Sequence, residues 1–405
     1  MALHVVAIRP DPDLLTLPWD SALAEWPEPP VVRLPRGLSR HVVRIVQLRR
    51  QMLVAKETEK ALAFREYRLL RDLRRLGLPT VAPKAVVTGR TDRDGDALPA
   101  ALLTEHLHYS VPYRTLFQNG LPAAELPSLV DALVVLLVRL HLADFYWGDV
   151  SLSNVLFRRS AGGFAAYLVD AETGELQPSL SDRMREHDLT VATENIFAEL
   201  LDLQAGAELD PDVRADEIVD LLRQRYDHLW NDLTTAEEFE RGEMWRIEQR
   251  IERLNDLGFD VDEIDIVTDL EGDRVRIQPK VVEAGHHQRE LQSLTGLVVE
   301  DNQARRLLND LAAYAAHHDL GHLDRHVVAS RWLTEVYEPL VALLPAEHRS
   351  KIEPAEFFHE VLVHRWYLSE RAGHEVDIFD TAADYIATVL PGRPDELVTP
   401  PPGTA

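Results

Sequence analysis

The chain has 405 residues, 45% of them hydrophobic, a formal net charge of −25 and no cysteine. It exceeds the roughly 250 to 300 residues at which single cores stop growing, so two domains are expected. The charge opposes phosphate backbones and anionic lipid, so neither nucleic acid nor membrane is expected as a partner, and the missing cysteine excludes disulfides, thiolate nucleophiles and Cys-based zinc sites.

Met1 to Asp20 carries prolines and acids where a signal peptide needs a basic start and an apolar run, and the longest apolar stretch, Ala132 to Val138, is far too short to span a membrane. A cytoplasmic location is expected. Lysine occurs only at 56, 60, 84, 280 and 351, so each one merits inspection. After a Pro-rich lead over 1–30, Val31 to Leu34 and Val42 to Leu48 read as strands around the turn Pro35-Arg36-Gly37-Leu38-Ser39. Gln51 to Lys56 makes a third strand, Glu57 to Leu76 a helix, and Ala85 to Thr88 and Ala101 to Thr104 two more strands. A nearly all-apolar helix, Leu126 to Leu142, leads to Trp147-Gly148-Asp149. Strands near Val155 to Phe157 and Ala165 to Val169 flank Ala161-Gly162-Gly163, and helices follow at His187 to Leu203 and Val213 to Leu233. A domain boundary is placed near Thr234. Beyond it the chain reads as one hairpin, Glu263 to Thr268 with Arg274 to Val282, in an otherwise helical domain over 234–390, and the Pro-rich 391–405 reads as a disordered tail.

Phosphoryl transfer from ATP asks for a cation on the phosphates, hard ligands for magnesium and a base beside the acceptor hydroxyl. Leu53-Val54-Ala55-Lys56 ends a strand with a lysine, and Glu66 in the next helix is its natural ion-pair partner. Asp149 and Asn154 have the Asp-x-x-x-x-Asn spacing of a catalytic loop, with Asp149 toward the acceptor proton and Asn154 toward metal. Asp170 follows the apolar strand Tyr167-Leu168-Val169 as a further magnesium ligand. Singly these matches are commonplace; their order along the chain carries the reading.

In these residues, and in Leu140-His141 before Gly148-Asp149, the N-terminal half resembles the protein-kinase-like superfamily, nearest its lipopolysaccharide-kinase and small-molecule-kinase branches. The whole arrangement resembles actinobacterial proteins with a C-terminal DUF4032 domain. The resemblance implies an α+β, bilobal protein-kinase-like fold, with a β-rich lobe over 31–107, a helical lobe over 108–233, and ATP and Mg2+ between them. It also places Leu103 to Leu107 at the hinge, where Glu105 and Leu107 offer backbone groups to adenine. Three departures stand out. The Gly-rich loop is reduced to Gly37 and Ser39 as phosphate cradle, Trp147-Gly148 replaces His-Arg, and Asp170-Ala171-Glu172 replaces Asp-Phe-Gly. Glu172 reads as a solvated acid before a metal ligand. The short segment after Asp170 points to a small molecule, sugar or specialised protein as hydroxyl acceptor, and the thin loop keeps a pseudokinase scaffold as the alternative.

In the C-terminal part, His286-His287, His317-His318 and His322 raise a zinc site, which the interrupting Gly321 disfavours. Glu356, His359, Glu360 and His364 read as a solvated face or salt-bridge network on a helix whose apolar side is Phe357, Phe358, Val361, Leu362 and Trp366. The amphipathic helices are expected to dock on the kinase lobe, on a protein partner or in a homo-oligomer.

Overall fold

The computed structural model describes residues 3–32, 41–49, 51–235 and 285–396, and between them the strand backbones 237–240, 260–268 and 274–282 with short helical pieces. The chain divides into two units, one of 1–158 with 166–223 and one of 159–165 with 224–397.

The first unit opens with a six-stranded antiparallel sheet in the order β1-β5-β6-β4-β3-β2. Its strands are β1 (His4–Ala7), β2 (Val31–Val32), β3 (Val43–Leu48), β4 (Gln51–Thr58), β5 (Pro83–Thr88) and β6 (Ala100–Glu105), with helix α1 (Lys60–Arg75) between β4 and β5. Alternation along the strands sorts residues between two faces. Leu53, Ala55, Ala101 and Leu103 enter a buried core, whereas Val54, Lys56, Leu102 and Thr104 line a cavity. Helix α1 buries Ala63, Glu66, Tyr67, Leu70 and Leu73 at helical spacing.

Residues 4–26, expected as a lead, are part of this unit. β1 pairs with β5, and Leu14, Leu17, Trp19, Leu23 and Trp26 join the core of Leu53 and Leu103. Their burial covers a sheet face that would otherwise meet water. The Trp19 indole donates to the Leu14 carbonyl at 2.7 Å and its ring meets Trp26 edge-on, which satisfies the polar edge of a buried aromatic.

The helical part contains β7 (Ser110–Pro112), α2 (Tyr113–Gln118), α3 (Leu126–Leu142), β8 (Phe145–Tyr146), β9 (Val155–Ser160), β10 (Gly163–Leu168), β11 (Glu175–Leu176), α4 (Asp182–Ala205) and α5 (Ala215–Thr234). Helix α3 is apolar nearly all round and is buried on most sides, from Leu126 to His141. β9 lies between β10 and β7, and β11 pairs with β8.

The second unit has the sheet β12 (Glu237–Glu240), β14 (Arg274–Val282), β13 (Asp260–Thr268), in that order, followed by helices whose core is built on Trp332, Tyr337, Phe357, Phe358 and Tyr385. The expected hairpin strands are present, while the turn between them lies outside the described residues. Three expectations are corrected. Glu356 and His359 are buried rather than solvated, because the helix Pro354–Ala372 is covered on more than its Phe357–Phe358 side. Trp366, assigned to the apolar side, is 59% exposed. The tail is folded through Glu396, whose amide donates to the Ser350 carbonyl at 2.8 Å and whose carboxylate meets Arg159; residues 397–405 lie outside the described ones. The salt-bridge reading of this helix stands at Glu360 with Arg393 and at His364 with Asp384.

Candidate active site

β4 and α1 bring the first pair together. Lys56 Nζ lies 3.1 Å from Glu66 Oε2, 2.7 Å from Asp170 Oδ2 and 3.0 Å from Glu172 Oε2. Burial alone would lower the Lys56 ammonium, but Glu66, Asp170 and Glu172 outweigh it and hold the ammonium above its ordinary value. One cation faces three acids, and the most buried acid responds: burial, then the charge of Asp170, pushes Glu66 up to about 8 against the pull of Lys56. Burial also acts upward on Glu172, yet Lys56 and His41 hold it below the usual range. His41 Nε2 sits 3.1 Å from Glu172, tying the start of β3 to the segment after Asp170.

The loop after β8 supplies the second group. Asn154 Nδ2 donates to the Asp149 carbonyl at 2.9 Å and to Asp149 Oδ2 at 3.2 Å, while Asn195 of α4 donates to the Val150 carbonyl at 3.1 Å. Asp188, fully buried on α4, accepts the Trp147 and Gly148 amides, each at 2.7 Å, and faces His141 Nε2 at 3.3 Å. Burial lowers His141 despite that carboxylate. Gly148 adopts φ +77, and a Cβ there would stand 3.0 Å from the Tyr146 ring, so glycine is required for this turn. Glu199 of α4 accepts the Leu152 amide at 2.8 Å and the Ser153 amide at 3.0 Å. The Asp149 loop is thus held by three α4 side chains through its backbone.

Lys56, Glu66, Asp149, Asn154, Asp170 and Glu172 all line one cavity of about 610 Å³ inside the first unit. Glu105 and Leu107 line it too, with the Glu105 amide bonded to the Ala82 carbonyl and the Leu107 carbonyl accepting the Ser110 hydroxyl. Gly37 and Ser39 lie outside the described residues. Among the described residues, Glu66, Asp170 and Glu172 form the cluster of acids close enough to share a metal ion, which moves Glu172 from a solvated acid into the site. His322 in the second unit bonds the Asp319 carbonyl, and His318 packs on Tyr314. Sequence reasoning missed His41, Asp188, Asn195 and Glu199. The last three sit on a helix whose pattern mixes acids and apolar residues, and nothing local sets them apart from surface polar groups.

Residues 41–199 match the model of the Lipopolysaccharide kinase (Kdo/WaaP) family, and residues 228–390 match a domain of unknown function, DUF4032. No curated protein matches the chain significantly. Among solved structures, a chain described as "WaaP in complex with acyl carrier protein" is 17% identical, covering 62% of this chain and 99% of its own at a TM-score of 0.37. Among the described residues no helix is long and apolar enough to cross a membrane.

Proposed function

We propose that this chain, whose residues 41–199 match a kinase family, transfers the γ-phosphoryl group of ATP to a hydroxyl of a small molecule, sugar or specialised protein, with magnesium as cofactor. The observation that carries the reading is the convergence of Lys56, Asp149, Asn154 and Asp170, from separate stretches of chain, on one cavity. Lys56, steadied by Glu66, compensates phosphate charge; Asp149 accepts the acceptor proton; the backbone at Glu105 and Leu107 faces adenine; and Gly37 and Ser39 cradle phosphate. Asn154 and Asp170 offer hard oxygen donors in that cavity, a set that fits magnesium, which when bound neutralises phosphate oxygens.

Calorimetry with ATP and magnesium tests the reading, and no binding to the wild type would sink it. Asp149→Ala should lower turnover by on the order of 10² to 10³ while leaving ATP affinity nearly intact. The second reading, a nucleotide-binding scaffold that presents the C-terminal domain to a partner, draws on Lys56 bridging to Asp170 and Glu172, which engages the proposed metal ligand Asp170. Labelled-ATP turnover that vanishes in Asp170→Asn counts against the scaffold.

A further inference from the structure

The two strands β9 and β10 are joined by only Ala161 and Gly162, both at positive φ (49 and 86), as in a type I′ turn. Such turns favour asparagine, aspartate or glycine at the first of these positions, and an alanine there is strained. Residues 159–165 belong to the second unit, and that unit holds them. The Ala161 amide donates to Glu356 Oε2 at 2.8 Å, and Gln303 Nε2 donates to the same oxygen at 2.8 Å and to the Arg159 carbonyl at 3.3 Å. Glu356 and Gln303 are 2% and 1% exposed, so this is a built socket rather than a surface contact. Arg159 pairs with Glu396 and lies over the Phe164 ring at 5.4 Å.

The opposite end of the same hairpin carries the candidate metal ligands. Asn154 immediately precedes β9, Asp170 follows β10 by two residues, and the Val169 amide donates to the Asn154 carbonyl at 3.1 Å. A hairpin twisted or slipped at its turn changes the separation of its two roots, because strand register is set by the turn. We propose that Glu356 is a positioning residue: by holding the Ala161 amide with Gln303, it sets the register of β9 on β10 and thereby the spacing of Asn154 and Asp170. This assigns the DUF4032 segment a part in metal affinity, and it rests on the proposed metal-dependent phosphotransfer.

The test uses the full chain. Glu356→Ala should raise the magnesium concentration for half-maximal turnover by about 3- to 10-fold, less than the roughly 10- to 100-fold that direct partners of metal ligands cost because Glu356 acts through the hairpin, with KM for ATP at saturating magnesium unchanged. Hydrogen exchange should accelerate across 155–168. Glu356→Gln, whose amide oxygen still accepts from Ala161, should restore most of both. Exchange or magnesium dependence unaltered in Glu356→Ala, with an active wild type, overturns the inference and leaves the proposed function standing. Linkage gives a check free of mutation: magnesium with ATP added to the wild type should slow exchange of the Ala161 amide. Unchanged exchange there, under conditions where calorimetry registers binding, overturns the inference by itself. A wild type that binds no magnesium-ATP instead removes the function reading, and the inference with it.

Discussion

Lys56 meets Glu66, Asp170 and Glu172 with a single charge, so the acids compete for it. Glu66, the most buried of them, is pushed up to about 8 by burial and by Asp170. Between its ordinary value of 4.5 and that raised value, the folded chain holds a proton that the unfolded chain releases. Glu66 therefore stabilises most at the acidic end, and its contribution fades as pH rises toward 8. Thermal unfolding followed from about pH 5 to about pH 8 should show Glu66→Gln flattening a decline in Tm present in the wild type. A decline of equal slope in both proteins would remove Glu66 as its source. The pairing of Lys56 with Glu66 was legible in sequence, because a lysine late in a strand and an acid in the helix that follows it lie on adjoining elements. The part of Glu172 was not, since an acid beyond a strand end looks solvated until His41 and Lys56 are placed beside it.

At the scale of elements, α4 organises the loop that carries Asp149. Asp188 accepts two backbone amides from Trp147 and Gly148 while itself wholly buried, so no water can replace it. Asp188→Ala leaves those donors without an acceptor at about 1–3 kcal/mol each, and denaturant unfolding should register that loss. Leu201→Ala on the same helix, at a residue 44% exposed, should stay within about 0.5 kcal/mol. Equal stability of the two variants would refute the anchoring role. Helix α3 was readable to the residue because its apolar run needs no partner to define it. α4 was found about five residues short at its start, since Ser181, whose hydroxyl accepts the Met184 amide as N-cap, lies in a polar stretch without an apolar rhythm.

Across the whole molecule, a net charge of −25 means that the compact state works against its own repulsion. Raising sodium chloride from about 10 to about 150 mM shortens the Debye length to roughly 8 Å and should raise Tm by a few degrees. A fall in Tm over that range would show that specific ion pairs outweigh the general repulsion. The kinase-family match covers 41–199 and the DUF4032 match covers 228–390. Composition could not assign the turn 159–165, which belongs with a unit that begins more than fifty residues later. The sequence by itself determined the strands β2 to β6 and the helices α1 and α3, and it singled out Lys56, Glu66, Asp149, Asn154 and Asp170 as candidates, because local periodicity and residue spacing are both written in linear order. Only the tertiary structure decided that residues 4–26 complete a core, that Asp188 is buried and that Glu356 reaches an amide 195 positions away. Burial and hydrogen-bond partnership depend on what packs opposite a residue, and distance along the chain carries no record of that.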